Sequence, residues 1–169
     1  MLVVDDERDL ADMYALQLSS KYDVETAYDG HTALEKIDET VDVVLLDRRM
    51  PELSGDEVLG ELDDEPYDPV VAMVTAVDPD LDVASMPIDD YLVKPISKAE
   101  LLTTVDRLRS VEDYEELRRE LSAKKVRRNV LEVEKSQSEL ESSDEFQMLS
   151  QRIEELEEQL EDLEEQEVT

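Results

Sequence analysis

Four short apolar runs in the first hundred positions each end on an acidic or polar residue. Leu2-Val3-Val4 precedes Asp5-Asp6, and Val43-Val44-Leu45-Leu46 precedes Asp47. Val70-Val71-Ala72-Met73-Val74 precedes Thr75, and Tyr91-Leu92-Val93 precedes Lys94-Pro95. Apolar runs of this length without alternation read as strands buried on both faces. Val24–Ala27 adds a shorter strand. The intervening segments carry apolar residues at helical spacing: Leu10, Met13, Tyr14 and Leu18, then Ala33, Leu34 and Ile37. Ser54-x-x-Glu57 forms a capping box that opens a third helix after the Met50-Pro51 turn. Asp78-Pro79 offers an N-cap to a fourth, which Pro87 must keep short. Ser97-x-x-Glu100 caps a fifth carrying Leu101, Leu102, Val105 and Leu108. Five alternating strand–helix units predict an α/β, doubly wound, five-stranded parallel sheet over residues 1–109.

From residue 110 the pattern changes. No proline follows Pro95 and no glycine follows Gly60, so nothing compels the chain to leave helix. Tyr114, Leu117 and Leu121 extend an apolar stripe, which Val126, Val130, Leu131 and Val133 continue less regularly. The serine-rich stretch 136–143 predicts a turn, with Ser142-x-x-Glu145 recapping a last helix. Phe146, Leu149, Ile153, Leu156, Leu160 and Leu163 then recur at spacings of three and four. That seam fits a helical hairpin or a coiled coil over residues 110–169, and it is the expected surface for dimerisation or docking.

The charge is extreme: 48 acids against 17 bases, a formal net of −31 over 169 residues. The acids are spread over both halves, which argues against a single disordered acidic tail. A pervasive excess with little lysine suits a very salty cytoplasm, where screening removes self-repulsion. There is no cysteine, so no disulfide can form. No leader-like segment opens the sequence and no apolar run approaches the ~18 residues of a membrane span, so a soluble cytoplasmic protein is expected. His31, the lone histidine, stands without a second histidine or cysteine and reads as a surface residue.

The residues that end the apolar runs carry the candidate chemistry. Ligand sites of open parallel sheets gather beyond the carboxyl ends of the strands. Asp5, Asp6, Asp47, Thr75 and Lys94 would therefore meet at one sheet edge. Clustered carboxylates repel one another unless a cation intervenes. Hard oxygen ligands of this kind suit Mg²⁺, which retains waters and accepts a phosphate oxygen. An ammonium and a hydroxyl beside them suit an incoming phosphoryl group, whose transfer rests on positioning and charge neutralisation.

Val3-Val4-Asp5-Asp6-Glu7, Leu46-Asp47-Arg48-Arg49-Met50-Pro51 with Gly55, Val74-Thr75-Ala76 and Asp89-Asp90-Tyr91-Leu92-Val93-Lys94-Pro95 together resemble a response-regulator receiver domain. The resemblance covers about residues 1–109. It implies a flavodoxin-like sheet of order 2-1-3-4-5, for which a receiver protein is itself a standard illustration. It also implies that Asp47 accepts a phosphoryl group from a sensor histidine kinase, with no other enzymatic activity than self-catalysed transfer and autodephosphorylation. Mg²⁺ would be held by Asp6 and Asp47, by Asp5 through water and by the backbone carbonyl of Arg49. Thr75 and Lys94 would read the phosphorylated state, and Tyr91 would be the switch aromatic. Arg49 and Val77 occupy positions that govern water access in this family, and their bulk implies slow autodephosphorylation. The stretch from Thr75 to Lys94 is shorter than usual, which implies a curtailed fourth helix. Residues 110–169 resemble the HalX domain through Lys124-Lys125, the string Leu131 to Ser136 and the Leu/Glu-rich last helix.

Two other functions are open at this point. Arg118, Arg119, Lys124, Lys125, Arg127 and Arg128 could make a DNA-binding helix over 118–128, although no helix-turn-helix, zinc or aromatic signature accompanies them. The other reading of these residues is a solvated face paired with neighbouring acids. A Mg²⁺-dependent phosphohydrolase working through an aspartyl phosphate is the second alternative; Arg49 stands where it would need an acid two residues past Asp47.

Overall fold

The computed structural model describes residues 1–168, and the side chains of all of these except Glu112, Glu167 and Val168. Five parallel strands, β1 (Leu2–Val4), β2 (Glu25–Ala27), β3 (Val43–Leu46), β4 (Val70–Thr75) and β5 (Asp90–Val93), form one sheet of order β2-β1-β3-β4-β5. The helices are α1 (Arg8–Leu18), α2 (Gly30–Lys36), α3 (Gly55–Leu62), α4 (Lys98–Glu134), α5 (Gln137–Glu141) and α6 (Asp144–Val168). Contacts within the chain divide it into two compact units, Met1–Arg109 and Ser110 onward.

In the first unit the side chains of each strand alternate between two cores. Leu2, Val4, Val44, Leu46, Val71 and Met73 face Ala33 of α2 and Val58, Leu59 and Leu62 of α3. Val3, Val43, Leu45, Val70, Ala72 and Val74 face Ala11, Tyr14 and Leu18 of α1 and Leu101, Val105 and Leu108 of α4. Period two along each strand thus supplies both layers, which is why the runs are apolar throughout. Burying a Val or Leu side chain is worth roughly 1.5–3 kcal/mol, so the central strands anchor the unit. The α1 stripe is rotated from its expected position: Ala11 is buried, whereas Met13 is 41% exposed.

The caps agree with expectation at α3, where Ser54 accepts from Glu57 N and the Glu57 side chain accepts from Ser54 N. After β4 the structure differs from the expected helix. The segment Leu81–Ser85 is a 3₁₀ turn with no buried residue, capped by Asp80 rather than Asp78. Its apolar residues are too few to hold a helix on the sheet; Leu81 is 90% exposed.

The second unit is an antiparallel helical hairpin. Helix α6 lies along the distal part of α4: residues 113–120 face 159–163, and 126–131 face 145–149. Ile153, Leu156 and Leu160 are buried, so the seam expected to serve dimerisation is consumed within the chain. Arg152 forks onto Glu120 at 3.0 and 3.1 Å, and Lys125 reaches Glu157 at 2.6 Å. The turn also departs from expectation. Ser136 and Glu139 form a capping box that opens the short α5, and Ser143 Oγ, not Ser142, accepts from Phe146 N at the start of α6. No described helix is long and apolar enough to cross a membrane.

Because the α6 seam is internal, Leu156→Ala is expected to lower the unfolding free energy by about 2–5 kcal/mol. Denaturation followed by circular dichroism should give the same loss at every protein concentration. A loss that fades on dilution would place the seam between chains.

Candidate functional site

Asp5, Asp47 and Lys94 each stand one step past a strand, held by a continuation of the strand ladder, while Thr75 ends β4 and Asp6 follows Asp5. Asp5 N–H donates to the Ala27 carbonyl at 3.1 Å, Asp47 N–H to Val4 at 2.9 Å and Lys94 N–H to Thr75 at 2.8 Å. Register aligns Val4 with Leu46 and Thr75 with Val93, which brings the residues that follow to one edge. One carboxylate oxygen from each of Asp5, Asp6 and Asp47 lies within 4.8 Å of the others. Asp5, Asp47 and Thr75 are buried, at 2%, 6% and 1% exposure, while Asp6 faces solvent.

Among the described residues, one cation pairs with this cluster. Lys94 Nζ donates to Asp5 Oδ2 at 2.6 Å and lies 3.5 Å from Asp47 Oδ2. The other Asp5 oxygen accepts from Glu7 N at 2.9 Å, which fixes the carboxylate at the start of α1. Burial pushes the Asp47 carboxyl above its ordinary value, and the Asp5 charge adds to this. The Lys94 ammonium and a hydrogen bond from the Thr75 hydroxyl offset only part of the rise. Burial also works against the Lys94 ammonium, but the bond to Asp5 and the charges of Asp47 and Asp5 outweigh it and hold its pKa up. Two like charges about 4.8 Å apart repel by roughly 3 kcal/mol at an effective dielectric of about 20. Three carboxylates against one ammonium leave two negative charges, the complement of a divalent cation. The donors are all hard oxygens, which suits Mg²⁺. The Arg49 carbonyl, two residues past Asp47, accepts no hydrogen bond from the described residues, while its side chain is exposed.

The loop after Asp47 depends on Gly55. A Cβ there would sit 2.4 Å from the Asp47 carbonyl oxygen and 2.9 Å from Arg48 Cα. That close approach lets Gly55 N–H donate to the Arg48 carbonyl at 2.7 Å and seats α3 against the loop.

Tyr91 is half-buried on the inner core, and its hydroxyl donates to the Val77 carbonyl at 2.7 Å. The structure adds a partner that motif reading passed over. The Arg48 guanidinium binds both oxygens of Asp56 in α3, at 3.0 and 3.2 Å, and also Asp82 in the 3₁₀ turn. Hydrogen bonding to Asp56 first, then to Tyr91 and Asp82, raises the Arg48 pKa still further. One side chain adjacent to Asp47 therefore ties α3 to the 3₁₀ turn. No local spacing pointed to this, because its partners lie 8 and 34 positions away. Tyr14, expected as a core residue, is buried and also feels the charges of Lys94, Asp5 and Asp47.

Residues 1–106 match the family model described as the response regulator receiver domain, and residues 110–168 match that of the HalX domain. A protein of Haloferax volcanii, described as a candidate transcriptional regulator, is 54% identical over 109 residues, 64% of this chain. The match spans only 19% of that relative's length. Among solved structures, the Thermotoga maritima response regulator TrrA in complex with Mg²⁺ and BeF is 34% identical, with a TM-score of 0.55 over 63% of this chain and 96% of that one. The signal receiver domain of a candidate LuxO repressor from Vibrio parahaemolyticus is 25% identical, with a TM-score of 0.63 over 69% of this chain and 93% of that one.

Asp47 binds its proton more tightly in the folded than in the unfolded chain, so its ionisation costs stability as the pH rises through its folded pKa. Without metal at neutral pH, Asp47→Asn should therefore raise the melting temperature, by about 2–4 °C for each ~1 kcal/mol relieved. The gain should vanish below the ordinary carboxylate pKa of 3.8, where both states are protonated. A gain that persists there would point to packing instead. Separately, Arg48→Ala should free the 3₁₀ turn. Amide hydrogen exchange at Val83 and Met86 is expected to rise roughly fivefold, the loss of about 1 kcal/mol.

Proposed function

Because this chain belongs to the response-regulator receiver family, with a HalX domain behind its receiver, we propose that Asp47 is the phosphoacceptor of a two-component system. The phosphoryl group comes from a phosphohistidine of a cognate sensor histidine kinase. The observation that carries this reading is the Lys94 ammonium, set between two buried carboxylates at the strand ends and 3.5 Å from Asp47.

In the proposed step an Asp47 carboxylate oxygen attacks phosphorus. An O–P bond forms as the P–N bond breaks, and the electron pair leaves on the imidazole nitrogen. Asp6 and Asp47 directly, Asp5 through water and the Arg49 carbonyl would hold Mg²⁺, which when bound neutralises charge on the phosphoryl oxygens. Lys94 exchanges its contact with Asp47 for a phosphoryl oxygen, and Thr75 donates its hydroxyl to another. Movement of Thr75 toward the phosphoryl group makes room for Tyr91 to turn inward. That turn requires the hydroxyl to give up Val77, so the cost of switching includes one hydrogen bond of about 1 kcal/mol. The chain then acts as a phosphoacceptor with self-catalysed transfer and autodephosphorylation, and the signal is read through the helical domain, residues 110–169.

A second output, binding DNA through residues 118–128, draws on the description of the Haloferax relative. Ion pairs weigh against it. Arg118 pairs with Glu115, Lys124 with Glu120, Lys125 with Glu157 and Arg128 with Glu132. Phosphates would have to displace these acids in a chain of net charge −31.

Incubation with acetyl phosphate and Mg²⁺ should label the intact chain, and Asp47→Ala should abolish the label. Equal labelling of both would sink the assignment. Arg49 and Val77 crowd the approach of water in this reading, so the aspartyl phosphate should persist for minutes or longer; a lifetime of seconds would remove that part.

A further inference from the structure

The apolar stripe on the distal part of α4 borders the start of α6 but stays largely exposed beside it. Val126, Val130 and Val133 are 62%, 55% and 83% exposed. Their spacing of four and three sets them on one helix face. β-branched residues at exposed helical positions lower helix propensity without local return. Beside the stripe runs an open groove of about 760 Å³, lined by Val126, Val130, Leu131, Phe146 and Leu149 among others.

We propose that this face binds a second copy of the same chain, the two α4 helices packing antiparallel about a twofold axis at Val130. The stripe is self-complementary under that operation. Val130 meets the partner's Val130, and Val126 comes within one residue, about 1.5 Å along the axis, of the level of the partner's Val133. The charges obey the same axis. Arg127 and Glu134 lie seven residues apart on one flank of the stripe, both exposed and neither in an ion pair among the described residues. Rotation about Val130 brings Arg127 within one residue, about 1.5 Å along the axis, of the level of the partner's Glu134, twice in each dimer. A parallel, in-register pair would instead lay the basic block 124–128 along its own copy and Glu132 and Glu134 along theirs. Charge thus selects the antiparallel pairing, as flanking charges do in coiled coils.

The stripe spans only about 10 Å of helix, so the dimer is weak and concentration-dependent. Two chains of net charge −31 repel at low ionic strength, and salt that screens this repulsion favours association. The buried part of the α6 seam, Ile153, Leu156 and Leu160, is not part of this surface. The proposal does not rest on the phosphoacceptor reading, and the unphosphorylated chain is the material for its test.

Sedimentation equilibrium of the full chain, over a concentration series and at rising KCl, should show a monomer–dimer exchange that shifts toward dimer with salt. Val130→Asp should remain monomeric with an unchanged circular dichroism spectrum. Arg127→Glu and Glu134→Arg, each alone, should weaken association by roughly tenfold, since each places two repulsive pairs in the dimer. The double variant R127E/E134R should recover the wild-type constant. A wild-type chain that stays monomeric at every concentration and salt overturns the proposal. So does a dimer that survives Val130→Asp, or a double variant no stronger than the singles.

Discussion

The ammonium of Lys94 is what allows Asp5 and Asp47 to lie buried side by side. A buried carboxylate prefers to be protonated, and a neighbour of the same sign deepens that preference. The strand ladder nevertheless delivers both to one edge, because each is pinned by a backbone bond continuing the sheet. Lys94 arrives by the same means from β5, so charge and countercharge are set by the register of the sheet rather than by flexible loops. The compensation is incomplete, and Asp47 stays above its ordinary pKa. Strain of this sort is typical of sites built to receive a ligand of opposite charge.

Much of this was legible in the amino-acid order. The two-faced strands announced themselves as unbroken apolar runs, and the residues ending those runs are the ones that meet. The Ser54–Glu57 box was readable because both of its hydrogen bonds are local. What escaped notice was long-range or one residue out of place. Arg48 has partners in α3 and in the 3₁₀ turn that no spacing rule connects. Asp80 and Ser143 took over capping roles expected of Asp78 and Ser142, since several adjacent polar residues could serve and only backbone geometry chooses among them. The seam from Phe146 to Leu163 was correctly periodic, but a heptad pattern is silent on whether its partner helix belongs to the same chain.

The two units manage acidity in different ways. In the first, the acids gathered at the strand ends share Lys94 as their counter-charge. In the second, a block of bases on α4 finds acids on its own helix or on α6, with Arg152 forked onto Glu120 and Lys125 on Glu157. Exposed pairs of this kind contribute little stability one by one, typically under 1 kcal/mol. Their effect is on register: they favour one sliding position of two otherwise similar Leu/Glu-rich helices. The hairpin's hold on its shape comes from Ile153, Leu156 and Leu160.

The 3₁₀ turn at Leu81–Ser85 contributes no buried residue to either core, and among the described residues its ion pair to the rest of the fold is Asp82 with Arg48. Its residues are therefore insulated from the folding of the sheet. Mutation can rewrite Leu81, Val83 or Ser85 freely while the chemistry beneath is untouched. Such a segment is where sequence can drift at almost no thermodynamic cost.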